Sequence, residues 1–228
     1  MIEIKHVTKE FIQGKQRVRA LKDVTITLQN EMTAIIGTSG AGKSTLLHIL
    51  MGIEPCEKGN VEIDNISIFD LTEKELSRFR NEYIGIVMQH YSLISDFSVL
   101  ENVYLPLSFS KVRYSKKEKI AKAKKAIDLI GIDYLTKRCV EDLSGGEMQR
   151  VAIARAIVGS PHYIFADEPT GALDNENTEK ILSVLQQINK TGVGVIVVTH
   201  DMDVANQCKR IIRLEDGAIV DDRLSQTL

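Results

Sequence analysis

The sequence predicts an α/β protein with a parallel-sheet core, an antiparallel β part near the N-terminus and an inserted α-helical subdomain. Short continuous apolar runs, typical of strands buried on both faces, alternate with helical patterns early and late in the chain. Alternating apolar and polar residues precede the first run, which indicates strands with one solvated face. The middle of the chain shows helical spacing instead. Because βα alternation returns after that block, we predict one core interrupted by an insertion.

The composition is that of an ordinary globular protein. Of 228 residues, 43% are hydrophobic and 26% are charged, and the formal net charge of -2 argues against a nucleic-acid partner. The three cysteines form no C-x-x-C or Cys/His pattern, so neither a disulfide framework nor a zinc site is expected. No apolar stretch approaches the roughly 20 residues of a membrane span. We therefore expect any membrane role to come through a partner.

The first part of the chain is expected to be rich in β-structure. Apolar residues alternate with polar ones over Ile2–Val7 and again over Val24–Leu28. The run Met32–Gly37 is continuously apolar and predicts a buried strand. It leads through a glycine-rich turn into a helix that ends near Gly52, and the chain stays β-rich to about Met88.

Helical spacing follows, over Val99–Phe109 and Lys116–Ile130. The stretch Lys111–Lys125 carries eight Lys or Arg residues against one Glu, a pattern that fits either a patch for anionic headgroups or nucleic acid, or the solvated face of an amphipathic helix. Ile120 and Ile127 fall on one helical face and the lysines on the rest. We favour the solvated face, because surface helices normally carry their charges outward.

From His162 onward the βα alternation resumes. Residues 162–167 and 193–200 predict buried strands, Glu176–Lys190 predicts the helix between them, and Asp216-Gly217 predicts the turn of a closing hairpin. The chain is therefore expected to be a single domain. Its predicted boundaries are 1–228 for the domain, 1–92 and 160–228 for the core, and 93–159 for the helical subdomain.

The segment GTSGAGKST matches G-x-x-x-x-G-K-[ST] and lies between a predicted strand and a predicted helix. Gly40 and Gly42 allow backbone conformations that turn successive N–H groups inward, and the helix start adds partial positive charge. Lys43 can reach the β and γ phosphates, and Ser44 can ligate Mg²⁺. The core is thus predicted to be of the P-loop NTPase (RecA-like) type. Its predicted phosphate-binding residues are Gly37, Thr38, Ser39, Gly40, Ala41, Gly42, Lys43, Ser44 and Thr45.

The strand HYIFAD ends in two acids, followed by Pro169. Asp167 is predicted to hold hydrated Mg²⁺, and Glu168 to orient and deprotonate an attacking water. Pro169 predicts an extended backbone at Glu168. Without the phosphate loop, Asp-Glu-Pro would indicate only the end of a strand.

A second candidate anion site is LSGGEMQR. Ser144 and Glu147, three residues apart, match a capping box, and Gly145 and Gly146 leave the N–H groups of the first turn uncovered by side chains. A helix that needs only a cap has no use for two glycines, which cost up to about 1 kcal/mol each relative to Ala. We therefore predict a second phosphate-binding helix start.

The chain contains, in this order, the segments GTSGAGKST, LSGGEMQR, FADEPTGALD and VVTHD, and Gln89 follows an apolar strand. With these motifs it resembles the nucleotide-binding subunits of ABC transporters over essentially its whole length. The resemblance implies a head-to-tail homodimer in which the partner's LSGGE segment caps ATP bound to the phosphate loop, so Ser144 and Gly146 would act in trans. It further implies that Gln89 contacts Mg²⁺ or water, that Asp174 lies at the dimer interface beside the nucleotide, and that His200 contacts the γ phosphate.

The same resemblance assigns adenine to the N-terminal β part. Phe11 stands where the family usually has an aromatic residue that stacks on adenine, and Val18 is expected nearby. Stacking needs only a ring face, so Phe can serve, although core packing is the alternative role for this residue.

The stretch from Leu71 to Leu107 is similar to the branch that contains lipoprotein-release, macrolide-export and antimicrobial-peptide or bacteriocin export ATPases. The resemblance implies an ATPase at the cytoplasmic face of the cell membrane that drives a separate integral membrane permease. One alternative is an FtsE-like regulatory ATPase of a cell-wall complex. Another is a soluble ABC ATPase without a transporter, although the long coiled-coil insertion or paired nucleotide domains usual there are not seen in the sequence.

Overall fold

The structure, a computed structural model, describes residues 1–14 and 16–225. The chain folds into two compact units, of which the first comprises residues 1–76 and the chain from residue 194 onward, and the second comprises residues 77–193. The strands are β1 (Ile2–Gln13), β2 (Gln16–Leu28), β3 (Met32–Ile36), β4 (Lys58–Ile63), β5 (Ile66–Ser67), β6 (Ile84–Val87), β7 (Tyr163–Asp167), β8 (Gly194–Thr199), β9 (Arg210–Glu215) and β10 (Ala218–Leu224). The α-helices are α1 (Lys43–Leu50), α2 (Glu73–Tyr83), α3 (Val99–Tyr104), α4 (Lys116–Leu129), α5 (Gly145–Ile157), α6 (Asn175–Lys190) and α7 (Met202–Asn206).

The first unit contains an antiparallel sheet with strand order β2-β1-β4-β5. Its core-facing residues alternate along the chain as predicted, and Ile2, Ile4 and Val7 are all buried. The pairing of β1 with β2 is interrupted by register shifts between Ile4 and Glu10. Such register shifts are typical of β-bulges.

The first unit also contains β3, which is buried along its whole length and pairs in parallel with β8 and β9. The hairpin of β9 and β10 turns at Asp216 and Gly217, both with positive φ, as the Asp-Gly pair predicts. Since both faces of β3 and β8 are covered, their sequences are continuously apolar rather than alternating.

The second unit holds the parallel pair β6 and β7 together with α3, α4, α5 and α6. Three of its helices begin with a Ser followed three residues later by a Glu, and each pair forms a complete capping box. The predicted helix over Val99–Phe109 is wrong in one respect. It ends as α3 at Tyr104 and continues as a 3-10 helix over Leu105–Ser108, because Pro106 cannot supply the N–H that an α-helix needs.

Helix α2 was not expected, since the chain before Met88 is predicted to be β-rich. The signal was present: Thr72 and Glu75 form reciprocal hydrogen bonds at its start. Helix α7 was not expected either, whereas the predicted buried strands, the predicted helices α1, α4, α5 and α6, and the closing hairpin are all present. Within residues 1–14 and 16–225, no helix is both long and apolar enough to cross a membrane. The proposed limits of the helical subdomain, 93–159, stay a prediction, because compactness alone does not define a subdomain.

Candidate nucleotide-binding site

The phosphate loop begins where β3 ends and closes on the first turn of α1. Gly40 and Gly42 have φ values of 81° and 99°, in the region that favours glycine. Gly42 is the N-cap of α1, and within the described chain no side chain caps this helix. The helix start therefore has no side-chain cap that an anion would have to displace, which suits the phosphate binding that the motif predicts.

Lys43 is buried and folds back over the loop. Its Nζ donates to the carbonyl oxygens of Gly37 and Thr38 at 2.9 and 3.0 Å. An ammonium group on the inner side of the loop, next to the helix start, suits binding of a polyphosphate.

The β9–β10 hairpin supports this loop, a role that the sequence motif did not reveal. Gly217 N–H donates to the carbonyl of Ala41 at 3.1 Å. A Cβ at Gly217 would lie 2.6 Å from the carbonyl oxygen of Ala20, and one at Gly37 would lie 2.2 Å from that of Leu214. Glycine is required at both positions because backbone approaches backbone there.

The predicted adenine-binding pair lies at the tip of the β1–β2 hairpin. Phe11 and Val18 are direct cross-strand partners, and Val18 is 41% exposed. Lys9 Nζ lies 5.0 Å from the centroid of the Phe11 ring and also binds Glu54 at 2.6 Å. This arrangement holds the ring from one side and fits the expectation that an exposed ring face stacks on a base.

His200 follows the last residue of β8. In the β3–β8 register Ile36 pairs with Thr199, so His200 and the start of the phosphate loop leave the sheet at the same edge. In the first unit, His200 and the start of the phosphate loop thus lie at one edge of the sheet, because the carboxyl ends of parallel strands share an edge.

In the second unit, β6 and β7 pair in parallel with Val87 opposite Ala166. The same argument puts Gln89 and the acids Asp167 and Glu168 at one edge. The surroundings of Gly171 agree with this: a Cβ built there would lie 3.4 Å from Gln89 Nε2 and 3.6 Å from Glu168 Cβ.

The backbone at Glu168 corrects one expectation. Pro169 predicts an extended conformation, but Glu168 has φ 46°, in the left-handed region. A non-glycine residue with this φ is strained by about 1 to 3 kcal/mol, and such residues concentrate at functional sites. The turn that follows explains how it is held, since Gly171 N–H donates to the Glu168 carbonyl at 3.2 Å.

The start of α5 forms the predicted capping box. Glu147 accepts hydrogen bonds from the Ser144 N–H and hydroxyl at 2.9 and 2.8 Å, and the Glu147 N–H donates to Ser144 Oγ at 3.4 Å. These hydrogen bonds, with that of the Ser144 backbone first, lower the pKa of Glu147. Tyr134 adds a hydroxyl at 3.4 Å from the same carboxylate. In the single chain, Glu147 thus completes the capping box of α5 with the N-cap residue Ser144.

The two glycines of α5 also have a packing role. A Cβ at Gly146 would lie 2.9 Å from the Asn177 side chain, and one at Gly145 would lie 3.0 Å from the Tyr91 hydroxyl. Asn177 in turn donates to Asp174, the N-cap of α6, at 2.8 Å through its backbone and 3.0 Å through its side chain. The starts of α5 and α6 are thus packed directly together, which the sequence argument about exposed N–H groups did not anticipate.

Arg155 was missed by the sequence analysis. It lies on α5, is largely buried, and donates to the carbonyl oxygens of Tyr91 and Ser92 just after Gln89. Both of those residues have positive φ. Burial lowers the pKa of the guanidinium. A charged group buried against strained backbone ties the segment after Gln89 to the helix that starts at Ser144.

A comparison with known protein families decides what these features belong to. The family described as ABC transporter matches residues 21–171, two thirds of the sequence. The chain belongs to the ABC transporter family. This cassette also resembles, at 38% identity over 221 residues, the lipoprotein-releasing system ATP-binding protein LolD of Francisella tularensis subsp. holarctica, covering 96% of the chain and 95% of the relative.

A second relative is the macrolide export ATP-binding/permease protein MacB of Bdellovibrio bacteriovorus, 38% identical over 229 residues. The match covers all of this chain but 35% of that protein, so the cassette spans about a third of the length of such relatives. A solved structure, the ATP-binding cassette MJ0796 in a dimeric post-hydrolysis state with ADP and Pi, has a TM-score of 0.92 at 39% identity and covers both chains completely.

These findings confirm the predicted fold class and the assignment to the ATPase subunits of ABC transporters. They do not favour the FtsE-like or the soluble non-transport alternative. The individual site residues stay predictions, and their roles belong to the proposal that follows.

Proposed function

We propose that the protein binds ATP on the phosphate loop, hydrolyses it with Glu168 as general base, and uses ATP-driven dimerisation to power a separate membrane permease. The observation that carries this proposal is the phosphate loop: a glycine N-cap without a side-chain cap, with the buried Lys43 ammonium folded over the same loop. The dimeric, ADP-bound state of the similar cassette supports it.

In this mechanism the α1 N–H groups and Lys43 bind the phosphates, while Phe11 and Val18 hold adenine. Glu168 accepts a proton from the attacking water, and Gln89, which shares its surroundings at Gly171, orients that water. His200 contacts the γ phosphate. Glu168 has φ 46°, and the Gly171 N–H donates to its carbonyl at 3.2 Å, so the following turn fixes the backbone that carries the proposed base.

The residues proposed for Mg²⁺ offer a hydroxyl, an amide and a carboxylate, which are the hard oxygen donors that this ion prefers. They are Ser44, Gln89 and Asp167. Among the described residues, no group of three or more His, Cys, Asp or Glu side chains forms a metal cage. That fits an ion held largely by phosphates and water, which neutralises phosphate charge when bound.

The substitution Glu168→Gln tests the general base. We expect ATP binding to stay within about threefold while steady-state phosphate release falls by two to four orders of magnitude, roughly the contribution of general-base catalysis. Glu179→Gln, an exposed carboxylate on α6, is the matched control. Retention of more than about a tenth of the wild-type turnover by Glu168→Gln would assign the base elsewhere.

The permease is proposed to dock on the second unit, near the segment Ser92–Ser98. Ile94 and Phe97 in this segment are 39% and 37% exposed. Next to it, α3 and α4 border a cavity of about 630 Å³ whose lining includes Leu100, Ile120 and Ile127. Exposed apolar residues beside a cavity suit a helix of a partner protein at the cytoplasmic face of the membrane.

The coupling of this protein to the permease should be separable from ATP hydrolysis itself. We expect Phe97→Ala with Asp96→Lys to leave ATPase activity of the isolated protein within about twofold, but to abolish its stimulation by a co-purified permease in nanodiscs. Ile53→Ala, which removes another exposed apolar side chain elsewhere, is the control. Equal loss of activity with and without permease would show that the segment serves the active site or the fold instead.

A further inference from the structure

The charge of the chain is distributed very unevenly. Residues 111–125 carry eight Lys or Arg and one Glu, whereas the rest of the chain has 21 Lys or Arg against 30 Asp or Glu. A nearly neutral protein therefore has one concentrated basic region on an acidic background. We call residues 109–125 the basic segment.

Six cations of the basic segment are exposed: Lys111, Arg113, Lys116, Lys117, Lys124 and Lys125. In the part of the chain that the structure describes, none of them forms an ion pair within 4.0 Å. The pKa of Glu101 is lowered mainly by hydrogen bonds from Ser98, and Lys116 contributes least to this shift. The positive charge of the six cations is therefore not neutralised by ion pairs within the described chain. It remains available to an anionic partner.

The two remaining lysines, Lys119 and Lys122 on α4, contact residues at the two ends of the loop that precedes this helix. Lys119 Nζ donates to Ser108 Oγ at 3.1 Å, and Lys122 Nζ lies 5.2 Å from the centroid of the Tyr114 ring. Ser115 caps α4 directly after the loop. Ser108 and Tyr114, near the two ends of the loop over 109–115, are therefore tied to the side of α4 that carries Lys119 and Lys122.

The same loop exposes two apolar side chains among its cations. Phe109 is 71% exposed and Val112 is 55% exposed. Apolar side chains interspersed with basic ones are the pattern of segments that lie at a lipid interface, where the rings enter the headgroup region and the cations meet lipid phosphates.

The sequence alone favoured a merely solvated helix face, but the exposed Phe109 and Val112 beside the unpaired cations favour the alternative. We propose that the basic segment binds the surface of an anionic lipid bilayer. The acidic remainder of the chain is repelled by such a surface, so electrostatics orients the protein with this segment toward it. Nucleic acid is the weaker fit. The Tyr114 ring, on which a base could stack, is already covered by Lys122, and base stacking does not require the exposed Val112 beside Phe109. The proposal does not depend on ATP hydrolysis.

The test uses the full chain and vesicles of phosphatidylcholine, alone or mixed with phosphatidylglycerol. We expect co-sedimentation with the mixed vesicles only, weakened by salt. Replacing Lys111, Arg113, Lys116 and Lys117 with Gln should lower the partition coefficient at least about a hundredfold, since each cation near the surface contributes about fivefold. These four residues lie outside the lining of the cavity proposed for the permease, so permease-stimulated ATPase activity should persist in detergent.

The matched control changes the net charge by the same amount at exposed positions elsewhere: Lys22, Lys58, Lys74 and Lys190, all to Gln. Its partition coefficient should change by less than about threefold. The pair Phe109→Ser with Val112→Ser should lower partitioning about tenfold without changing charge. Equal losses in the two fourfold variants, or no binding by the wild type, would overturn the proposal. Tighter binding to an RNA or DNA oligonucleotide that is insensitive to the Phe109 and Val112 changes would replace lipid with nucleic acid.

Discussion

Two glycine-rich helix starts, those of α1 and α5, look alike in sequence but are built differently. At α1 the N-cap is Gly42 in a left-handed conformation, no acid lies in the first turn, and the described chain offers no side-chain cap. At α5 the N-cap is Ser144 in an extended conformation, and Glu147 completes a capping box. The start of α1 has no side-chain cap, whereas the start of α5 is capped by its own side chains.

The difference indicates how each helix is used. The positive end of a helix without a side-chain cap attracts anions, so α1 is expected to gain stability when an anion binds. A capped start is ordered without ligand, so α5 can present a rigid surface to a nucleotide held by another chain. The packing of Gly146 against Asn177 adds to that rigidity.

The largest expected effect separates binding from completion of the site. Lys43→Ala should lower ATP affinity at least about a hundredfold, because a charge-assisted contact to phosphate is lost. Ser144→Arg should leave ATP binding by the monomer within about threefold but abolish hydrolysis. Each variant alone should be inactive, and mixing the two should restore activity through one intact composite site. Full hydrolysis by monomers, held apart by dilution, would show that α5 does not act in trans.

An exchange of the two N-caps should have unequal effects on stability. Gly42→Ser should destabilise the fold by at least about 2 kcal/mol, although Ser is a good N-cap, because φ is 99° and its Cβ would lie 2.4 Å from the Ala20 carbonyl. Ser144→Gly should cost less than about 1 kcal/mol. Urea unfolding of both variants measures this. Equal costs would mean that the two starts are equivalent scaffolds.

The smallest effect concerns acid. The capping carboxylates Glu101, Glu118 and Glu147 all have pKa values lowered by hydrogen bonds from their Ser partners. A lowered folded-state pKa means that their stabilisation is present above the unfolded value of about 4.5 and is lost as pH falls through the folded value. The melting temperature should fall modestly below about pH 4.5. In a variant with Gln at all three positions, this acid-dependent part should disappear, and an unchanged pH profile would exclude the caps as its source.

Local sequence accounts for much of both helix starts. The Ser-x-x-Glu spacing at Ser144 predicts its own capping box, and the same spacing at Ser98 and Ser115 marks the starts of α3 and α4. These interactions span three residues, so no distant part of the chain is needed to form them. The phosphate loop can likewise be recognised from local sequence, because its glycines and its lysine lie close together in the chain.

Other features needed the tertiary structure. The left-handed backbone of Glu168 opposes the local preference set by Pro169 and is held by the turn that returns from Gly171. Arg155 reaches the Ser92 carbonyl across 63 residues of sequence. The Gly217 N–H donates to the Ala41 carbonyl only because the β9–β10 hairpin packs against the phosphate loop. By itself the sequence determined the chemistry of each motif, since that chemistry is local. Which backbone is strained, and what holds it, depends on contacts between distant segments that form only when the chain is folded.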